Sequence, residues 1–299
     1  MGPGIGKAAW VTVSAETQIT DLTIDDHACL TYGEPEELLD LTAAFVRDGL
    51  AEGQRIVWLA EEPERRLAEL GRRGAVARAA ARRGHVTVLA CQDGLLDGQA
   101  FAVEHAMRWL RDQIASTARE GYPGLRVALD MSWALRPVTG IEQLPAFEQE
   151  IAATLAGAGA AVLCQYDRER FDPVTLASVS GYHTRSVAAA TYHRDALLRI
   201  CRQYAPPGIR LAGQIDRSAE EALGLAMSEA IRVDGDITVN MAELSFIDLY
   251  CARMIIDAAR SLPPSRKAVL RCSPVVSGRF LLLGATAVPG ITLVTTHDT

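Results

Sequence analysis

The sequence predicts an α/β protein of two domains: an N-terminal open, mostly parallel sheet with flanking helices, then a smaller C-terminal α/β domain with a mixed sheet. Three observations carry this. Short apolar runs alternate with amphipathic stretches from about residue 24 to 180, a Pro-Pro-Gly step at 206–208 breaks the pattern, and the C-terminal third reads β, α, β, α, β, α, β. Strands alternating with helices imply βαβ units. At 299 residues the chain is long enough for two ordinary cores. The expected organisation is one domain over residues 20–190, a helical linker over 191–208 and a second domain over 209–299.

A first strand is expected over 27–32. In residues 36–50, Leu38, Leu41, Phe45 and Val46 make one apolar helix face, with Gly49 near its end. Residues 55–60, 85–90, 125–130 and 161–164 are short apolar runs, which suit strands buried on both faces of a parallel sheet. Between them, Phe101, His105, Trp109 and Leu110 share a helical face in 99–114. Residues 192–204 read as a helix that Pro206 and Pro207 would stop, because proline lacks the N–H that continues the ladder. This step is the expected domain boundary, exposed and poor in crossing contacts. Beyond it, Ser218 and Glu221 have capping-box spacing. Asp248 is placed to cap a helix after Phe246 and Ile247, Pro274 to begin the last helix, and Gly284 to end it.

Composition narrows the classes. Apolar residues make up 49% and charged residues 22%, values of a globular rather than a disordered chain. The net charge of −7 argues against a nucleic-acid partner. The arginine-rich run of Arg65, Arg66, Arg72, Arg73, Arg78, Arg82 and Arg83 has helical spacing and reads as a solvated helix face. No stretch approaches the ~20 apolar residues of a membrane span, and no basic region followed by an apolar core suggests a secretory signal. Six scattered cysteines with no C-x-x-C pair read as reduced thiols in the cytoplasm.

The motifs Asp26-His27-Ala28-Cys29-Leu30-Thr31-Tyr32, Phe45-Val46-Arg47-Asp48-Gly49-Leu50 with Gly53-Gln54-Arg55, Leu129-Asp130-Met131-Ser132-Trp133 and Leu163-Cys164-Gln165-Tyr166-Asp167 occur in an order that resembles the MEDS sensory domain. That family in turn looks like a degenerate relative of RecA-type ATPases. The resemblance implies a RecA-like core whose phosphate loop would follow the first strand. Here that segment is Tyr32-Gly33-Glu34-Pro35-Glu36-Glu37, with one glycine, three carboxylates and no lysine. Carboxylates repel a triphosphate, so neither ATP binding nor enzymatic activity is expected. Asp130 is then simply a strand-end residue. Gly2 to Lys7 holds the glycines and lysine of a phosphate loop, but Met1 stands at the first glycine position, Ala8 replaces the Ser or Thr, and no strand precedes it.

His27 and Cys29 lie two apart and share a face if 27–32 is a strand. The sensor-ligand candidates are His27, Cys29, Tyr32, Trp133, Tyr166 and His183, with core packing the competing role. Two ligands do not make a metal site, and no metal, cofactor or catalytic residue is assigned.

In the second domain, Leu211 to Asp216, Thr238 to Ala252 and Lys267 to Arg271 together resemble the STAS domain of anti-sigma factor antagonists. The resemblance implies a partner face at Ser245, Asp248, Leu249, Tyr250 and Arg253, and an anti-sigma factor or switch-kinase domain as partner. In that family a phosphorylated Ser or Thr stands two residues after the capping Asp. Here it is Tyr250, and Asn240 stands where an acidic residue is usual, so the phosphate switch is expected to be missing. The reading is a cytoplasmic signalling protein in which a small-molecule sensor controls protein binding. Its alternatives are a nucleotide-binding protein or enzyme, and a structural subunit whose N-terminal domain is a homo-oligomer interface.

Overall fold

A computed structural model describes residues 16–76 and 84–296. Two sheets carry the molecule. The first comprises β1 (Glu16–Thr17), β2 (His27–Tyr32), β3 (Arg55–Ala60), β4 (Val86–Ala90), β7 (Leu125–Asp130), β8 (Ala160–Asp167) and β9 (Arg185–Val187). These seven strands lie in the order β1-β9-β2-β8-β7-β3-β4, every pair parallel. A two-stranded ribbon of β5 (Leu96–Asp97) and β6 (Ala100–Phe101) stands apart.

Helices cover both faces. On one, α1 (Pro35–Ala51) and α2 (Pro63–Arg72) pack on Ala28, Leu30, Ile56 and Trp58. On the other, α3 (Val103–Arg119), α4 (Leu144–Leu155) and α5 (Pro173–Ser180) cover Cys29, Val57, Val127 and Cys164. Two-sided burial explains why these strands read as continuous apolar runs. Helix α3 begins later than its sequence pattern, because Ala100 and Phe101 pair as a strand first.

The second sheet is built from β10 (Thr191–Arg194), β11 (Leu198–Tyr204), β12 (Pro207–Ile215), β13 (Ile237–Ile247), β14 (Ala268–Cys272) and β15 (Ile291–Thr295), neighbours in chain order. It is mixed: the β10–β11 and β11–β12 pairs are antiparallel and the rest parallel. Helices α6 (Glu220–Val233), α7 (Leu249–Arg260) and α8 (Pro274–Leu282) share one core with Ile209, Leu211, Val239 and Leu270. The β-α alternation after the Pro-Pro-Gly step matches the sequence pattern. Asp248 caps α7 by accepting from Cys251 N, and Ser273 precedes Pro274 in α8. Asp216, not Ser218, makes the cap before α6, because Ser218 lies inside a short 3-10 turn.

The expected helical linker over 191–208 is a correction. These residues form β10, β11 and the start of β12, joined by a turn at Ala205 and Pro206. Asp195 accepts from Leu197 N and Leu198 N, which closes the first hairpin turn. A helix pattern over 192–204 yielded to pairing with β12, which buries Leu198, Ile200 and Cys201. The step is only partly exposed: Pro206 faces solvent, Pro207 is half-buried and Gly208 is buried, while Tyr204 and Ala205 before it lie in the core under α1. Limited proteolysis of the native chain should therefore leave residues 204–210 uncut. Early cleavage there into two stable fragments would contradict this packing.

Arg73 also departs from the solvated-face reading: it is buried against Glu36, whereas Arg65 and Arg72 form exposed pairs with Glu62 and Glu69. Arg78, Arg82, Arg83 and the Gly2 to Lys7 motif lie outside the described residues.

Candidate functional site

The first sheet buries a polar cluster. Period two along β2 turns His27 and Cys29 toward α4, and along β8 turns Cys164 and Tyr166 the same way. The register pairs Cys29 with Cys164. Helix α4 points Leu144, Phe147, Ile151 and Leu155 inward, and Glu148 stands in the same stripe with no exposed surface. His183 arrives from the turn after α5, where its Nδ1 donates to Val179 O at 2.8 Å.

Three groups converge on one carboxylate oxygen. Glu148 Oε2 lies 3.1 Å from His27 Nε2, 3.3 Å from His183 Nε2 and 3.4 Å from Cys164 Sγ. The Tyr166 hydroxyl donates to the other oxygen, Oε1. The His27 and His183 rings lie against each other with centroids 4.1 Å apart, tilted by 37°. Burial opposes charge on Glu148, but His183, His27 and Tyr166 outweigh it and hold the carboxyl down at about 2. Burial pushes His183 down to about 4 and the Cys29 and Cys164 thiols up. At neutral pH Glu148 is thus an anion, with un-ionised thiols at Cys29 and Cys164 beside it.

Of the six ligand candidates, the structure brings together His27, Tyr166 and His183, with Cys29 beside them in the same core. Trp133 is on the same face, packed at 4.7 Å on the Phe101 ring. Tyr32 is on the opposite face, in the core with α1. None is open to a ligand at the surface; a cleft of about 400 Å³ lies beside them instead. Leu135, Ile141, Leu144, Phe171 and Val179 line it, with Asp172 and Ser178. Phe171 packs edge-on against Tyr166 at 5.1 Å, and Val179 holds His183, so the cleft touches two supports of the cluster. Sequence reasoning missed Glu148 and the role of Cys164. Both had a signal: Glu148 is four after Leu144 and three before Ile151, and Cys164 is two before Tyr166.

A second polar cluster joins the two sheets. The start of α1, where a phosphate loop would lie, carries Glu34, Glu36, Glu37 and Asp40. Across from it, Arg210, Asn240 and Arg271 stand in register on β12, β13 and β14, on the face opposite the core built by α6, α7 and α8. Glu36 accepts from Arg73 at 2.5 Å, Asn240 Nδ2 at 2.7 Å and Arg271 at 2.7 Å. Arg210 reaches Glu34 at 2.5 Å, and Arg199 reaches Glu34 and Glu37 at 3.1 Å. Asp40 accepts from Tyr204 N at 2.9 Å and Ala205 N at 2.7 Å. Its burial pushes the carboxyl up to about 6, against the pull of those N–H groups and Arg210. The loop is filled from within as well: Glu37 accepts from Gly33 N at 3.0 Å, and the Arg168 guanidinium occupies the space beside Gly33. The asparagine at 240 has a physical reason here, since an acid would face Glu36. Asp130 accepts from Ser132 N at 3.0 Å, a strand-end cap.

On the second domain, Phe246, Leu249 and Tyr250 are exposed together. Asp248 caps α7 and also accepts from Arg217 N at 3.0 Å, while Arg217 lies over the Tyr250 ring at 4.7 Å. Ser245 Oγ donates to Gly213 O, and Arg253 pairs with Asp257.

Residues 26–184 match a family model described as MEDS, the MEthanogen/methylotroph, DcmR Sensory domain. Among solved structures, a KaiC-like protein from the hyperthermophilic archaeon Pyrococcus horikoshii is similar at 12% identity and a TM-score of 0.44, over 63% of this chain and 80% of that chain. No curated protein matches the sequence. No helix among the described residues is long and apolar enough to cross a membrane.

Proposed function

The chain belongs to the MEDS sensory-domain family, and on that premise we propose that it is a cytoplasmic signalling protein whose sensor controls protein binding by a C-terminal domain of the STAS type. The observation that carries this reading is the buried ion-pair seam between α1 and the row Arg210, Asn240 and Arg271. A sensor ligand that favours one position of α1 would act directly on the sheet that carries the partner face. The cleft beside Phe171 and Val179 is the proposed ligand entrance.

The partner is an anti-sigma factor or a switch-kinase domain, docking on Ser245, Phe246, Asp248, Leu249, Tyr250 and Arg253. Tyr250 acts as a standing aromatic contact, not as a phosphate acceptor, because its hydroxyl lies farther from the backbone N–H groups of the helix start than a serine hydroxyl would. On this reading the chain has no enzymatic role: the Glu37 carboxylate takes Gly33 N and the Glu34 carbonyl takes Glu37 N, which works against a phosphate cradle in the 32–37 loop.

The test is capture of the partner from the cells that make this protein, then affinity measurement with wild type, Tyr250→Asp and Arg271→Gln. Tyr250→Asp should abolish binding. Arg271→Gln lies away from the partner face and should shift the affinity by ~5-fold or more, the scale of ordinary coupling between sites. A partner indifferent to both substitutions would sink the proposal.

A further inference from the structure

We propose that His27, Glu148, Cys164 and His183 hold a borderline-soft divalent cation of the zinc class in a four-coordinate site within the sensor domain. Their ligand atoms all lie within 4.8 Å of one another, and all four residues are buried. Two imidazoles, a thiolate and a carboxylate are donors that zinc takes, and one thiolate plus one carboxylate neutralise a dication. A buried metal with no net charge avoids the cost of an unpaired ion.

The distances fit. Bonds of ~2.0 Å to oxygen or nitrogen and ~2.3 Å to sulfur, spread tetrahedrally, separate neighbouring donors by ~3.3 Å for an O···N pair and ~3.5 Å for pairs with sulfur. The corresponding pairs here are 3.1 and 3.3 Å for Glu148 Oε2 with the two imidazoles, 3.4 Å for Glu148 with Cys164, and 3.5 Å for His27 with Cys164.

A second observation comes from hydrogen bonding. His183 Nδ1 donates to Val179 O, which commits that nitrogen and turns Nε2 toward the carboxylate. Nε2 is buried without a hydrogen-bond partner. An imidazole nitrogen without a hydrogen-bond partner, 3.3 Å from a buried carboxylate oxygen, is spaced as two ligands of one cation are. The surroundings are also those of metal ligands. A backbone carbonyl fixes the His183 tautomer, and Tyr166 occupies Oε1 so that Oε2 is left for the ion. On binding, the Cys164 S–H bond gives way to a sulfur–metal bond and its proton leaves to solvent. The site stands on these four donors alone, whichever partner the second domain binds.

The test uses the full chain without an affinity tag that binds metal. Metal content is measured as isolated from zinc-supplemented cells, and again after refolding with zinc or cobalt(II), since the folded site is closed to solvent. One equivalent should be retained. The cobalt form should show the intense visible bands of a four-coordinate ion and a sulfur-to-cobalt charge-transfer band. Cys164→Ser should abolish that band while circular dichroism stays native. Tyr166→Phe, outside the ligand set, should weaken affinity by ~10–100-fold. If neither preparation retains a stoichiometric metal, or if Cys164→Ser retains both the metal and the charge-transfer band, the site does not exist.

Discussion

Replacing Glu36 with alanine should lower the stability of the chain by about 3–5 kcal/mol, the usual loss when one partner of a buried ion pair is removed. Arg73 and Arg271 both reach Glu36, and Asn240 donates to it. Arg73 is buried, so without the carboxylate its charge has no counterpart and little water. Burial alone would raise the Glu36 pKa, but the two guanidinium groups outweigh it and hold the carboxyl at about 2 instead of 4.5. A carboxylate depressed in the folded state contributes stability that is complete above about 4.5 and is lost as the pH falls toward about 2. The size of that contribution is about 3 kcal/mol, in line with the mutational figure. Urea unfolding of wild type and Glu36→Ala at neutral pH measures the loss, and the gap should close in acid. A difference below about 1 kcal/mol at neutral pH would mean that the seam does not hold the two sheets together.

Glu148→Ala should cost a similar amount, about 3–5 kcal/mol, in protein refolded from denaturant with a chelator present. The Tyr166 hydroxyl and the donors around Oε2 would lose their common acceptor in a core with no water access, at about 1–3 kcal/mol for each group left unsatisfied. The cavity left by the side chain adds to this. Glu148→Gln keeps the volume and one acceptor oxygen and should lose less. Thermal or urea unfolding measures both. Equal stability of all three proteins would show that the carboxylate is not needed to hold the cluster together.

The two clusters differ in how far the sequence disclosed them. His27 and Cys29 could be placed on one strand face from their spacing alone, because strand period is local. Glu148 and His183 come from a helix and a turn distant in sequence, and no local rule ties them to β2. The charged start of α1 was legible as a failed phosphate loop, but its use as a seam was not. It depends on Arg210, Asn240 and Arg271 falling into register on three strands, which pairing alone decides.

The linker shows the same division. Residues 192–204 carry a pattern that satisfies a helix in isolation. As β10 and β11 they instead extend the second sheet and cover Tyr204 and Ala205 with α1, a gain visible only once β12 is in place.

Hydrophobic period and neighbours a few residues away were enough to establish the α/β class, the parallel first sheet, the β-α alternation of the second domain and the cap of α7 at Asp248. It took the packed molecule to establish that the domains share a buried ionic seam, that residues 191–208 are strands, and that His27, Glu148, Cys164 and His183 face one another. These features depend on desolvation and on donor geometry between segments far apart in the chain, where burial sets both the cost of each charge and the partner that offsets it.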